Sequence, residues 1–252
     1  MSIGVIGTGH LIAHCLPALV KSGEHFILSK RNAETSARLA AQFGCAVEEN
    51  TAKIVAACDM VILAVRPYDA KAVAGALRWR DGQTVISFVA GVGLAELAPL
   101  VAPAKLIMAM PIIAGEWGES PTCIYPRDEG AEKLLATLGP LVILPREEDF
   151  AAASVYACLF TSLHAIAGEL ASWGEAAGLP PTLARLLASQ SLRAAGTEVR
   201  ERNSQSVSDL VNSLATPRSF SLLGLQSLEA DNAFAPWAKA AEKILAALKA
   251  PR

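Results

Sequence analysis

"SIGVIGTGHLIAH", residues 2–14, is the stretch on which the reading of the whole chain turns. An apolar run from Ile3 to Ile6 leads into Gly7 and Gly9, and a helical apolar pattern follows at once. In that setting the first glycine permits a tight turn and the second lets the backbone approach a pyrophosphate at the helix N-terminus. Ile12 stands where a third glycine or alanine is usual, a position used for close helix-to-strand packing and not for phosphate contact. A helix set slightly away from the strand is therefore expected, with the ligand path left open. An ordinary strand-to-helix turn is the alternative this stretch alone leaves standing.

The neighbouring sequence supplies the context. "LIAHCLPALVKSG" places Leu11, Cys15, Leu19 and Val20 at helical spacing and ends on Gly23, and "HFILS" after it is short and β-rich. "NAETSARLAAQFG" reads as helix, "AACDMVILAV" ends as a continuous apolar strand, "YDAKAVAGALRW" is helical and "QTVISFVAG" is a further strand. Strands apolar on both faces and separated by helices imply a parallel sheet covered on both sides. The expected architecture is α/β: a Rossmann-like, doubly wound domain over residues 1–146, then an all-helical domain over 147–252. The charged segment "PREED", residues 145–149, serves as the hinge. Beyond it, "FAAASVYACLFTSLHAIAGELASWGEAAG" and "TLARLLASQSLRAAGTEVRER" read as helices with enough small and apolar residues to pack against a partner subunit. A homodimer or higher homo-oligomer is expected.

With 252 residues, 52% hydrophobic and a net charge of −2, the chain can bury substantial cores, and its scattered basic residues offer no footprint for nucleic acid or an anionic membrane. The five cysteines, Cys15, Cys45, Cys58, Cys123 and Cys158, form no Cys-x-x-Cys pair and no metal-ligand spacing, so they are read as reduced core thiols with no metal site. The first strand begins almost at Met1, and no apolar run is seen to reach the roughly 18 residues of a spanning helix. A soluble, cytoplasmic, unprocessed protein is the expectation.

Cofactor choice is read about 20 residues past the glycine turn, where NAD sites carry an acid for the ribose hydroxyls. Here stand Ser29, Lys30 and Arg31, with no acid before Glu34. A hydroxyl and two cations suit a 2′-phosphate, which favours NADP(H); a merely solvated loop is the alternative. Between Lys133 and Lys239 the chain holds no lysine, so the lysine acid of many two-domain hydroxyacid dehydrogenases has no candidate. The long helix offers only Tyr156, Cys158, His164 and Glu169 as polar functions. A protonated imine carries its own positive charge, so reducing C=N needs mainly orientation and a hydrogen bond at nitrogen.

Five stretches in order, "IGVIGTGHLI", "DMVILAVRPYD", "VISFVAGV", "MAMPIIAGEWGES" and "LATPRSFSLLGLQSLE", together resemble the pyrroline-5-carboxylate reductase family, over residues 3–229. The resemblance implies NAD(P)H-dependent reduction of a cyclic imino acid to proline, and helical domains paired in intertwined dimers. It implies that Gly7, Gly9, His10 and Leu11 lie along the pyrophosphate and that Ser29, Lys30 and Arg31 meet the adenosine phosphate. Asn50 falls near the adenosine ribose and Ala64, Val65 and Pro67 at the middle of the cofactor, while Arg66 replaces the usual lysine with its charge kept.

The substrate end departs from the family pattern. Met110, Pro111, Ile112, Ile113 and Ala114 stand in place of Met-Pro-Asn-Thr-Pro, and Tyr156 to Ser162 in place of a small-residue Ser-Gly-Ser-Gly-Pro-Ala-Tyr stretch. Pro217, Arg218, Ser219, Phe220 and Ser221 replace Pro-Gly-Gly and two small residues. Ser221 is the candidate donor to the imine nitrogen, with helix N-capping as its alternative role. Pro111, Ile112, Arg218, Ser219 and Phe220 are candidate substrate contacts, Arg218 as a bidentate partner for a carboxylate. These departures leave three further readings beside proline synthesis: reduction of a bulkier, more apolar imine, a non-catalytic NADP-binding sensor, and hydride exchange between NADP and a deazaflavin.

Overall fold

The computed structural model describes residues 1–250. The first strand, β1 (Ser2–Ile6), runs into helix α1 (His10–Leu19), and the chain then alternates through β2 (His25–Ser29), α2 (Ala33–Phe43), β3 (Ala46–Glu48), α3 (Thr51–Ala57), β4 (Met60–Leu63), α4 (Pro67–Gly75), β5 (Thr84–Ser87), α5 (Leu94–Val101) and β6 (Lys105–Met110). Strands β7 (Thr122–Tyr125) and β8 (Leu141–Ile143) follow, with α6 (Glu129–Leu135) between them. All eight form one sheet in the order β3-β2-β1-β4-β5-β6-β7-β8. The reversal between β2-β1 and β1-β4 places a crevice at the carboxyl end of β1, where open α/β sheets take their ligands.

The strands owe their burial to a period of two. On β4, Met60 and Ile62 join one core cluster while Val61 and Leu63 join the other, and β6 divides in the same way, with Ile107 and Ala109 on one side and Leu106 on the other. A sheet so covered reads as continuous apolar runs, which is why β1, β2, β4 and β5 were legible. Only β7 breaks the parallel pattern, pairing antiparallel with β6. The link between them is a short 3₁₀ turn over Ile113–Trp117 and contains no crossover helix, so the chain can only double back. Glu147, from the segment read as a hinge, accepts a 2.9 Å hydrogen bond from the Leu94 N–H at the start of α5.

Ile12 is fully buried in the core cluster that contains Ile3, Leu16 and Leu28. Its side chain fills the space that a third glycine would leave between α1 and the sheet. Cys15 and Cys58 are buried free thiols, pushed up to about 12 and about 11, by burial at Cys15 and by burial together with the Asp59 carboxylate at Cys58. Cys158 is exposed, which corrects the reading of all five as core residues.

The chain divides into two compact units, Met1–Ala157 together with the chain from Leu245 onward, and Cys158–Ile244. The division falls inside α7 (Asp149–Ala176). The second unit continues through α8 (Pro181–Glu201), α9 (Val207–Leu214), α10 (Phe220–Ala230) and most of α11 (Ala235–Lys249). Within it Gly174 allows the closest approach of the α7–α8 hairpin, since a Cβ there would lie 3.0 Å from the Ala184 Cβ. Trp173, Leu186, Leu187, Leu223 and Leu228 are exposed. The 28 residues of α7 contain a window of mean hydropathy 1.6, long and apolar enough by length and composition alone to cross a bilayer, although no uninterrupted apolar run in it reaches that length. Isolated polar residues such as Ser162, His164 and Glu169 interrupt the run without lowering its average much.

Ile12→Ala should lower stability by about 2–4 kcal/mol, read as a fall in the urea midpoint of the intact protein. A loss below about 0.5 kcal/mol would mean that Ile12 is loosely packed and that the helix stands off the sheet as the missing glycine suggests.

Candidate active site

The glycine turn is held by hydroxyl groups from β2 and α2. Gly7, at φ +98°, donates its N–H to Ser29 Oγ at 2.9 Å. Thr8 Oγ1 lies 2.8 Å from Ser36 Oγ, which is itself 2.8 Å from the Ser29 carbonyl and 2.7 Å from that of Asn32. Thr8, Ser29 and Ser36 are all buried, so these bonds form away from competing water. A Cβ at Gly7 would meet the Ala64 carbonyl oxygen at 2.5 Å, because the turn after β1 abuts the turn after β4. Gly9, which precedes α1, has φ −81° and nothing within 4 Å of an added Cβ. Open space before free helical N–H groups is what a diphosphate requires, and the residues present fit that group.

His10 and Leu11 open α1 beside this space. The His10 ring lies edge-on to His14, centroids 4.6 Å apart, and His14 Nδ1 is 2.7 Å from Glu116 Oε2. Ser29 is 1% exposed, and its hydroxyl supports the turn from below by accepting the Gly7 N–H. Lys30 and Arg31 are exposed at the end of β2, Lys30 paired with Glu49 and Arg31 Nη2 2.9 Å from Asp69 Oδ2. The Lys30 ammonium holds the Glu49 carboxyl below its usual range, through a hydrogen bond first and charge second. Asn50 caps α3, accepting from the Ala52 N–H at 2.9 Å. Ala64 and Val65 are half-buried after β4, while exposed Arg66 caps α4 and Pro67 opens it.

At the substrate end, Pro111 is buried and Ile112 donates its N–H to Ser120 Oγ at 2.9 Å. In the helical unit the cap of α10 is Ser219, whose Oγ accepts from the Leu222 N–H at 3.1 Å. Ser221 is therefore not the cap; it sits exposed in the first turn, and its hydroxyl makes no hydrogen bond among the described residues. Arg218 holds φ +67°, a left-handed conformation in which a Cβ is strained. The turn thus keeps a glycine-like backbone without the glycine. Phe220 is 92% exposed. His164 is occupied on its own helix, with Nδ1 2.9 Å from the Phe160 carbonyl and its ring edge-on to Phe160. Thr8, Ser36 and Arg38 escaped the sequence reading; only Thr8, inside the glycine motif, carried a signal.

A family model described as pyrroline-5-carboxylate reductase dimerisation matches residues 147–250, and one described as NADP oxidoreductase coenzyme F420-dependent matches residues 2–91. The chain is 30% identical to the pyrroline-5-carboxylate reductase of Thermus thermophilus over 243 residues, 91% of this chain and 90% of that one. It belongs to the pyrroline-5-carboxylate reductase family. The 1-pyrroline-5-carboxylate reductase structure from Streptococcus pyogenes superposes with a TM-score of 0.87 at 24% identity, covering 99% of this chain and 98% of that one. The Plasmodium falciparum pyrroline carboxylate reductase, solved with NADP bound, gives 0.84 at 18% identity, covering 99% and 97%. Both share the whole fold. As a member of the family the chain is an NADP(H)-binding oxidoreductase acting on CH–NH groups.

Two glycine variants separate fold from binding at this turn. Gly7→Ala should unfold or strongly destabilise the protein, because the Cβ meets backbone at a positive φ. Gly9→Ala should keep the wild-type melting temperature while NADPH affinity falls about tenfold or more in a fluorescence titration. Unchanged affinity in Gly9→Ala would place the diphosphate elsewhere.

Proposed function

We propose that the protein reduces 1-pyrroline-5-carboxylate to L-proline with NADPH, as a cytoplasmic homodimer or higher homo-oligomer joined through its helical unit. The observation that carries the reading is 30% identity to a pyrroline-5-carboxylate reductase over 243 residues, 91% of this chain. NADPH supplies the hydride when bound. Gly9, His10 and Leu11 would hold its diphosphate, Lys30 and Arg31 would border the adenosine phosphate, Asn50 the ribose, and Ala64 to Pro67 the middle of the cofactor.

The remaining roles belong to the imine. Ser221, whose hydroxyl is not used for capping, would donate a hydrogen bond to the lone pair of an unprotonated imine nitrogen, the atom that takes up electron density as the carbon is reduced. The left-handed backbone at Arg218 and the N–H groups of Phe220 and Ser221 face a substrate carboxylate, and the Arg218 guanidinium adds a charged partner. The exposed apolar side chains of the helical unit are the surface a second copy covers.

A second reading, reduction of a bulkier and more apolar imine, is favoured by Ile112, Ile113 and Phe220, branched or aromatic where the family pattern is polar or small. Turnover by the intact protein decides between them: NADPH consumption with 1-pyrroline-5-carboxylate, and about tenfold or more lower kcat/KM in Ser221→Ala, is the expected result. NADPH binding with no turnover of this substrate, but turnover of larger cyclic imines, would replace the first reading with the second.

A second variant tests the turn. Arg218→Gly should raise stability by about 1 kcal/mol by relieving the left-handed strain. It should also raise KM for a carboxylate-bearing imine if the guanidinium contacts it. No change in either quantity would remove Arg218 from both roles.

A further inference from the structure

The two cations that the sequence offers to a 2′-phosphate are already engaged, Lys30 with Glu49 and Arg31 with Asp69. Arg38 is not: it makes no ion pair or hydrogen bond among the described residues. It lines a cavity of about 430 Å³ along α1 and α2, whose wall also includes Gly9, His10, Asn32 and Thr35. Thr35 and Arg38 are three residues apart on α2 and share a face. Helical side chains lean toward the N-terminus of their own helix, so Arg38 leans toward Asn32, the carboxyl end of β2 and the glycine turn. Glu116, the carboxylate in the same wall, is taken up by His14.

We propose that Arg38 is the main residue by which this protein distinguishes NADPH from NADH, receiving the 2′-phosphate in the cavity along α1 and α2. The inference rests on reading the Gly7–Gly9 turn as the cofactor site. A phosphate arriving at Lys30 or Arg31 must displace a carboxylate and gains only the difference between the new pair and the old one. At Arg38 nothing is displaced. The planar guanidinium presents a fork that matches phosphate oxygens, with the Thr35 hydroxyl and the His10 ring in the same wall.

Fluorescence titrations of NADPH and NADH against the intact protein and its Arg38→Gln, Lys30→Gln and Arg31→Gln variants test this. Arg38→Gln should weaken NADPH about tenfold or more and leave NADH within about twofold, while Lys30→Gln and Arg31→Gln each weaken NADPH by less than about fourfold. An unchanged NADPH-to-NADH ratio in Arg38→Gln would overturn the proposal. So would parallel loss of both dinucleotides in that variant, which would place Arg38 on the shared part of the cofactor or in the fold. A wild-type protein that binds neither dinucleotide would remove the cofactor reading itself and this inference with it.

Discussion

The hydrogen bond from the Gly7 N–H to Ser29 Oγ ties together the two strand ends that carry the candidate cofactor site. It is buried, and the Thr8–Ser36 contact beside it binds the same turn to α2. A turn at positive φ, with the Ala64 carbonyl closed against it, has little freedom to shift. The consequence is a fixed mouth at the carboxyl end of β1, bounded by Gly9, the Lys30–Arg31 cations and the Ala64–Pro67 turn. Each of these belongs to a different crossover of the sheet, so the sheet order itself assembles the site.

Much of this was legible in the residues. Continuous apolar runs marked β1, β4 and β5 because burial on both faces leaves no alternation, and the glycines after β1 marked the turn. The bond from the Gly7 N–H to Ser29 was not legible, because a hydroxyl at a strand end carries the same letter whether it meets a ligand or a neighbouring N–H. Arg38 was passed over because a cation on a helix shows its lack of a partner only in three dimensions. The antiparallel β7 was invisible for a related reason: strand direction depends on whether the preceding link crosses the sheet, and a 3₁₀ turn leaves little pattern. Helix α7 shows the limit of counting uninterrupted apolar residues. Its average hydropathy passes the threshold although polar residues break every long run.

At the substrate end the sequence weighs Ser221 as a substrate donor against Ser221 as a helix cap. Two serines, Ser219 and Ser221, were each able to cap α10, and only geometry assigns the cap to Ser219. That assignment leaves the Ser221 hydroxyl unused for capping, in a region of the chain that holds no lysine. Arg218 retains the left-handed backbone without the residue that adopts it most readily.

The central claim is that hydride passes from a nicotinamide to an imine carbon. NADPH carrying deuterium at nicotinamide C4, stereospecifically on either face, would be incubated with the intact protein and 1-pyrroline-5-carboxylate, and the amino acid product analysed by mass spectrometry. Proline carrying one deuterium at the former imine carbon, from one of the two labelled cofactors only, is the predicted result. Unlabelled proline from both, or no proline at all, would contradict the claim for this substrate.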